Sequence, residues 1–242
     1  MKTERIIKTI ILVLLFIGVS EFAGAQTKDP EAAKVLNDYV TAIGGEKAVD
    51  NILTLVSKST LEFVGGNFKL DRNIVETRTG KYYIQVSSQQ TGDITRTING
   101  TTCKEQRMGD IREIEGEEKE SFLNTSAFLR FAEWEKTLAG YEYDGAEKID
   151  GVKVHKLKVS TVFGQHEVWY FDAKTNLLSQ IDEELEMPGG KTKSTTVYSD
   201  YRDVNGVKLS FLQTINMPGQ TRKITFTEIL TNQKTDDSIF EL

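Results

Sequence analysis

Residues Glu117–Leu138 read EEKESFLNTSAFLRFAEWEKTL, the one long helical stretch in a chain otherwise patterned as strands. At 100° per residue, Leu123, Ala127, Phe131, Trp134 and Leu138 fall on one arc, the spacing of a buried helix face. Phe122, Phe128, Leu129 and Ala132 form a second arc, leaving a narrow polar stripe of Ser126, Arg130 and Glu133. A helix apolar on two sides needs two partners, and a sheet supplies only one. The spare arc therefore meets another helix, a loop or a ligand. Two readings follow: a helix packed into a core, or a plug over an apolar cavity. Asn124, Thr125 and Ser126 are each competent to cap a second start, so the helix is expected to break there if it breaks at all.

On the amino-terminal side, Asp29-Pro30-Glu31 opens a helix with a capping side chain, a proline in the first turn and an acid beside it. Its apolar face runs Ala32, Val35, Leu36, Tyr39, Val40 and Ile43, and Gly44-Gly45 end it. A short turn, Glu46 to Asn51, leads into strands. Ile52 to Val64 turns at Gly65-Gly66 and returns to Arg78. Further turns at Thr79-Gly80, Gly92, Asn99-Gly100 and Gly109-Asp110 mark short strands about ten residues apart. Beyond the helical stretch come Tyr141 to Ile149, Val152 to Val162, His166 to Phe171, Leu177 to Leu185, Lys193 to Tyr201, Val207 to Met217 and Arg222 to Leu230.

Connections this short exclude parallel crossovers and predict an antiparallel meander of about eleven or twelve strands. In HEVWYFD, Val168 and Tyr170 point one way, Trp169 and Phe171 the other, so both sheet faces are covered there. The expected fold is mainly β (α+β). It is a single large curved antiparallel sheet forming a half-open β-barrel, with an N-terminal helix and an inserted helical segment covering the concave face.

The chain begins with Lys2, Arg5 and Lys8, an apolar run from Ile10 to Val19, and Ala23-Gly24-Ala25. This is the pattern of a secretory signal peptide over residues 1–25, cleaved before Gln26, and it predicts export to a Gram-negative periplasm with no integral membrane anchor after cleavage. Residues 26–242 then form one domain of 217 residues carrying 27 basic and 34 acidic side chains, a net charge of −7. No basic patch stands out, which argues against a nucleic-acid partner. Cys103 is the sole cysteine, so no internal disulfide can form, and a buried, inert thiol is expected.

No motif for metallopeptidase, serine-hydrolase, phosphate-loop or dinucleotide chemistry is present. His155 and His166 are two ligands without a third. Asp182-Glu183-Glu184 reads as a solvated strand edge, and Asp236-Asp237 as a turn cap. The reading is of a protein without catalytic residues, metal or cofactor.

Several stretches carry a resemblance. They are Leu36–Gly45 (LNDYVTAIGG), Ile149-Asp150-Gly151-Val152, Trp169–Leu178 (WYFDAKTNLL), Tyr198–Val207 (YSDYRDVNGV) and Asp236–Phe240 (DDSIF). Together they resemble periplasmic proteins of the LolA/LppX/LolB type, the outer-membrane lipoprotein-sorting proteins, over nearly the whole mature chain. Departures include Ser210, where relatives usually carry proline. The resemblance implies an open barrel whose apolar cavity holds acyl chains. Expected lining residues are Leu123, Phe131 and Trp134 from the helical stretch, with Trp169 and Phe171 or their opposite-face neighbours from the sheet. The function implied is a non-catalytic carrier or chaperone for lipid or lipoprotein acyl chains, acting with inner- or outer-membrane protein partners. The alternative is a periplasmic protein-binding adaptor without bound lipid.

Overall fold

The computed structural model describes residues 27–88, 92–187 and 190–242. The expected signal peptide and its cleavage site lie outside the described residues. Helices α1 (Pro30–Ala42) and α2 (Glu46–Asp50) precede strands β1 (Thr54–Phe63), β2 (Lys69–Thr77), β3 (Tyr82–Ser87), β4 (Ile94–Asn99), β5 (Thr102–Arg107) and β6 (Asp110–Glu113). Helices α3 (Gly116–Thr125) and α4 (Trp134–Thr137) follow. Then come β7 (Leu138–Ile149), β8 (Val152–Thr161), β9 (His166–Asp172), β10 (Leu178–Met187), β11 (Gly190–Val204), β12 (Val207–Met217), β13 (Gln220–Thr231) and a final 3-10 turn (Asp237–Phe240).

Among the described residues, thirteen strands form one antiparallel sheet in the order β6-β5-β4-β3-β2-β1-β13-β12-β11-β10-β9-β8-β7. It is the mainly-β, open, curved sheet that the strand spacing predicts, with thirteen strands rather than eleven or twelve. Two hairpin meanders, β1–β6 and β7–β13, are joined by the pairing of β1 with β13. Bulges at Lys58/Ser59, Leu138/Gly140, Tyr143/Ala146 and Leu178/Gln180 add twist and bend the strands.

This topology dictates what the helical stretch must do. The chain leaves the sheet at β6, on one edge, and re-enters at β7, on the other. Residues 114–137 therefore have to cross the concave face.

The crossing is not the single helix that periodicity predicts. Alpha-helix α3 stops at Thr125, turns occupy 126–133, α4 is one turn long, and Leu138 already belongs to β7. The break falls where the capping residues cluster, and its cause is local. The Thr125 hydroxyl donates back to the carbonyls of Ser121 and Phe122, and Asn124 turns its amide to Glu167 on the sheet. Leu129 sits at φ 45°, which no continuing helix allows.

Two apolar clusters lie under the helices. The larger packs α1 (Ala32, Val35, Leu36, Tyr39, Ile43) on Leu157, Trp169, Phe171, Leu178 and Ile181. The smaller packs Phe122 of α3 on Ile74, Tyr82, Ile84, Ile98 and the buried Cys103. At the end of α1, Gly44 (φ +134°) presses on the β11–β12 hairpin, where a Cβ would lie 2.0 Å from the Gly206 carbonyl oxygen. The Lys208 N–H donates to the Ile43 carbonyl beside it at 2.7 Å. This contact docks α1 onto the middle of the sheet. Among the described residues, no helix is long and apolar enough to cross a membrane.

Candidate functional site

Between the two clusters, beneath the crossing segment, lies a cavity of about 350 Å³. Its existence follows from the inward-facing residues of the central strands. On β1 these include Ser57, and on β11 Thr196, both buried and both small. Where large side chains would have filled the space, short hydroxyl residues leave it open. The apolar wall comes from Ile43, Leu55, Ile215, Ile224 and Phe226, and the roof from Leu129, Phe131 and Ala132 of the crossing segment.

The roof is fastened by a buried carboxylate. Glu167 of β9, its side chain fully buried, accepts from Arg130 Nη1 and Nη2 at 3.0 and 3.1 Å, Asn124 Nδ2 at 2.6 Å and Trp169 Nε1 at 2.6 Å. Burial by itself would push this carboxyl's pKa up. The Arg130 charge and the hydrogen bonds from Arg130, Trp169 and Asn124 outweigh burial and hold it below the usual carboxylate range. The Arg130 guanidinium also lies over the rings of Phe131 (4.5 Å) and Trp169 (5.9 Å). A second fastening joins Glu133 to Arg78, which also donates to the carbonyls of Val49 and Ile52. Arg130 and Glu133, read from sequence as part of a narrow polar stripe, are thus the residues that tie the segment down.

Further charged groups line the cavity: Arg72 and Glu76 on β2, Glu183 on β10, and the exposed Lys208 of β12 at its edge. Burial pushes the Glu76 carboxyl up to about 7 against the opposing charge of Arg72. Burial, then the charge of Glu167, pushes Glu183 up to about 7 against Arg130. The sequence reading of Asp182-Glu183-Glu184 as a solvated edge is corrected here. Strand alternation sends Glu183 inward, opposite Glu167 and Ser194, while Asp182 accepts from Tyr170, Gln180 and Thr195. Burial also raises the phenols of Tyr39, Tyr198 and Tyr201, which stay protonated near neutral pH.

On the other side of the crossing segment is a second cavity of about 520 Å³, bounded by Leu123, Phe128, Ile98 and Phe163 with Arg78, Lys119 and Lys136 around it. Ala127 lines both cavities. Each apolar side of the segment therefore fronts open space. Among the described residues, no group of three His, Cys, Asp or Glu side chains is arranged to hold a metal ion.

No family model matches the sequence, and no curated protein matches it at a significant level. Solved structures do match. A DUF1329 family protein from Desulfovibrio piger superposes with a TM-score of 0.61 at 13% identity, over 87% of this chain and 97% of that one. A LolA superfamily protein from Nitrosomonas europaea gives 0.61 at 8% identity, over 87% and 97%. A domain from Vibrio parahaemolyticus named for outer membrane lipoprotein sorting gives 0.57 at 10% identity, with the same coverage. The fold is LolA-like.

Within this LolA-type fold the five residues expected to line a cavity take different places. Phe131 lines the main cavity and Leu123 the second one. Trp134, Trp169 and Phe171 are buried in the larger cluster, where Phe131 meets Trp169 edge-on at 5.1 Å, Trp134 meets Tyr141 at 5.3 Å and Phe171 meets Tyr39 at 5.4 Å. The aromatic pair thus forms a backing wall behind the roof. Sequence reasoning missed Arg72, Glu76, Glu183 and Glu167. Strand parity could have found the first two, because Arg72-x-Ile74-x-Glu76 places both on the face of an apolar residue.

Proposed function

We propose that residues 1–25 direct export and are removed, and that residues 26–242 act as one domain. In this reading the domain is a non-catalytic periplasmic carrier, holding an acyl chain of a lipid or lipoprotein under the crossing segment. The observation that carries the reading is the cavity of about 350 Å³ between the concave face and a tethered roof. At roughly 30 Å³ for a group the size of a water molecule, it accommodates about ten methylenes. Burying ten methylenes contributes about 8 kcal/mol, comparable to the association cost of roughly 4–15 kcal/mol.

The LolA-type fold supports the reading, since one structural neighbour is named for outer membrane lipoprotein sorting. In this account Phe131 touches the chain, Leu123 belongs to an adjoining second compartment, and Trp134, Trp169 and Phe171 stiffen the wall. The test is Phe131→Glu in the exported protein, which places a charge in the roof. Lipid retained on purification should fall to background while the far-UV circular dichroism of the sheet is unchanged. Retention equal to wild type would remove the main cavity as the acyl site.

A further inference from the structure

Resting on the acyl-chain reading, we infer that the cavity selects an acidic amphiphile, whose monoanionic head is received by Arg72 inside the cavity rather than left at its mouth. Arg72 projects from β2 into the cavity, and its Nη1 is closed off from solvent with no hydrogen-bond partner among the described residues. Directly opposite it in the β1–β2 register stands Ser59, whose buried Oγ is also without a partner. A guanidinium N–H sealed from water and lacking an acceptor is costly. The acceptor that satisfies it best is an oxyanion, which a guanidinium can bind through two parallel hydrogen bonds. Arg130, the other guanidinium at the cavity, is already paired through both Nη atoms with the Glu167 carboxylate, which neutralises its charge.

The surroundings limit the head to a single negative charge. Glu76, four residues along the same face of β2, feels the Arg72 charge but forms no ion pair with it among the described residues. Glu183 faces the cavity from β10. A dianion would confront both carboxyls, whereas a monoanion, a carboxylate or a phosphodiester, is balanced by Arg72 without drawing on Lys208, which is exposed at the cavity's edge. An anion on Arg72 also removes the charge that favours ionised Glu76, so binding should draw a proton onto Glu76. The other groups facing Glu76 are Tyr82, opposite it on β3, and Leu55, opposite it on β1. Neither carries charge near neutral pH, burial keeping the Tyr82 phenol protonated.

The experiment uses the purified mature protein and displacement of a fluorescent acyl probe by two charge-matched pairs. These are palmitate against hexadecanol, and lysophosphatidylglycerol against monopalmitoylglycerol. The expected result is a preference of about 10- to 100-fold for the acid in at least one pair. That pair identifies the head as carboxylate or phosphodiester. The preference should disappear in Arg72→Met while the neutral partner binds as before, which also reports that the variant is folded. The acid's affinity should fall several-fold from pH 6 to pH 8, and Glu76→Gln should flatten that dependence. Equal binding of acid and neutral in both pairs, or a preference that survives Arg72→Met, overturns the Arg72 assignment and leaves the acyl-chain reading standing. Failure of all four compounds to displace the probe overturns both.

Discussion

The Arg130–Glu167 clasp should behave as a coupled unit, and a double-mutant cycle can measure it. Glu167→Leu leaves the Arg130 guanidinium buried without its carboxylate and orphans the Asn124 amide and the Trp169 indole N–H. Breaking a buried ion pair from one side costs roughly 3–5 kcal/mol, a large share of the ~5–15 kcal/mol that a domain possesses. For a domain of this size that is roughly 6–20 °C in Tm. Arg130→Met leaves the Glu167 charge buried with only two neutral donors, and should cost a similar amount. The double variant removes both charges and retains only the two orphaned donors, at about 1–3 kcal/mol each. Its loss should therefore fall short of the sum of the singles by about 2 kcal/mol or more. Urea unfolding at pH 7, with equal slopes in all four proteins, gives the number. Hydrogen exchange should show residues 124–133 losing protection first in each single variant. Additivity within about 0.5 kcal/mol would refute the clasp as the tether of the crossing segment.

The remaining predictions concern the helix dock, the inward carboxyls and the cavity volume. Gly44→Ala sets a Cβ against the Gly206 carbonyl oxygen at a φ unfavourable to alanine, and should cost roughly 3 kcal/mol or more; a melting temperature within a degree of wild type would contradict the contact. Glu76 and Glu183 hold their protons up to about pH 7 in the folded state against 4.5 for an ordinary glutamate. The folded chain therefore binds more protons between those values, and stability falls as pH rises across the window, by at most about 3 kcal/mol per group. Glu76→Gln and Glu183→Gln should each raise Tm at pH 8 more than at pH 4.5, and an equal effect at both would show that the carboxyls are hydrated. Ser57→Phe should fill the cavity and lower lipid retention severalfold without loss of stability; full retention would place the chain elsewhere.

Much of the architecture was legible because strand signals are local. Turns such as Asp150-Gly151 and Asn205-Gly206 mark hairpins by their own chemistry, and alternation in HEVWYFD assigns both faces correctly. The crossing segment was legible only in part. Its apolar arcs revealed two open sides, but periodicity assumes a helix, and the turns after Ser126 are set by contacts with Glu167 and Arg78 far away in sequence. The same distance hid the clasp, since 37 residues separate Arg130 from Glu167 and no local pattern links them. Glu183 was misread because an acidic run suggests solvent, while strand parity divides the run between two faces. The cavity itself was invisible for a different reason. It is made by serines and threonines in ordinary strand positions, and absent volume leaves no motif.

The central claim is that the space under the crossing segment holds an acyl chain. Mass spectrometry of lipids extracted from the protein purified out of the periplasm, beside an exported control of similar size, tests it most directly. The account predicts an acyl lipid near one equivalent per chain, absent from the control and from Phe131→Glu. Lipid no higher than in the control would contradict it, and would leave a protein-binding adaptor as the reading to pursue.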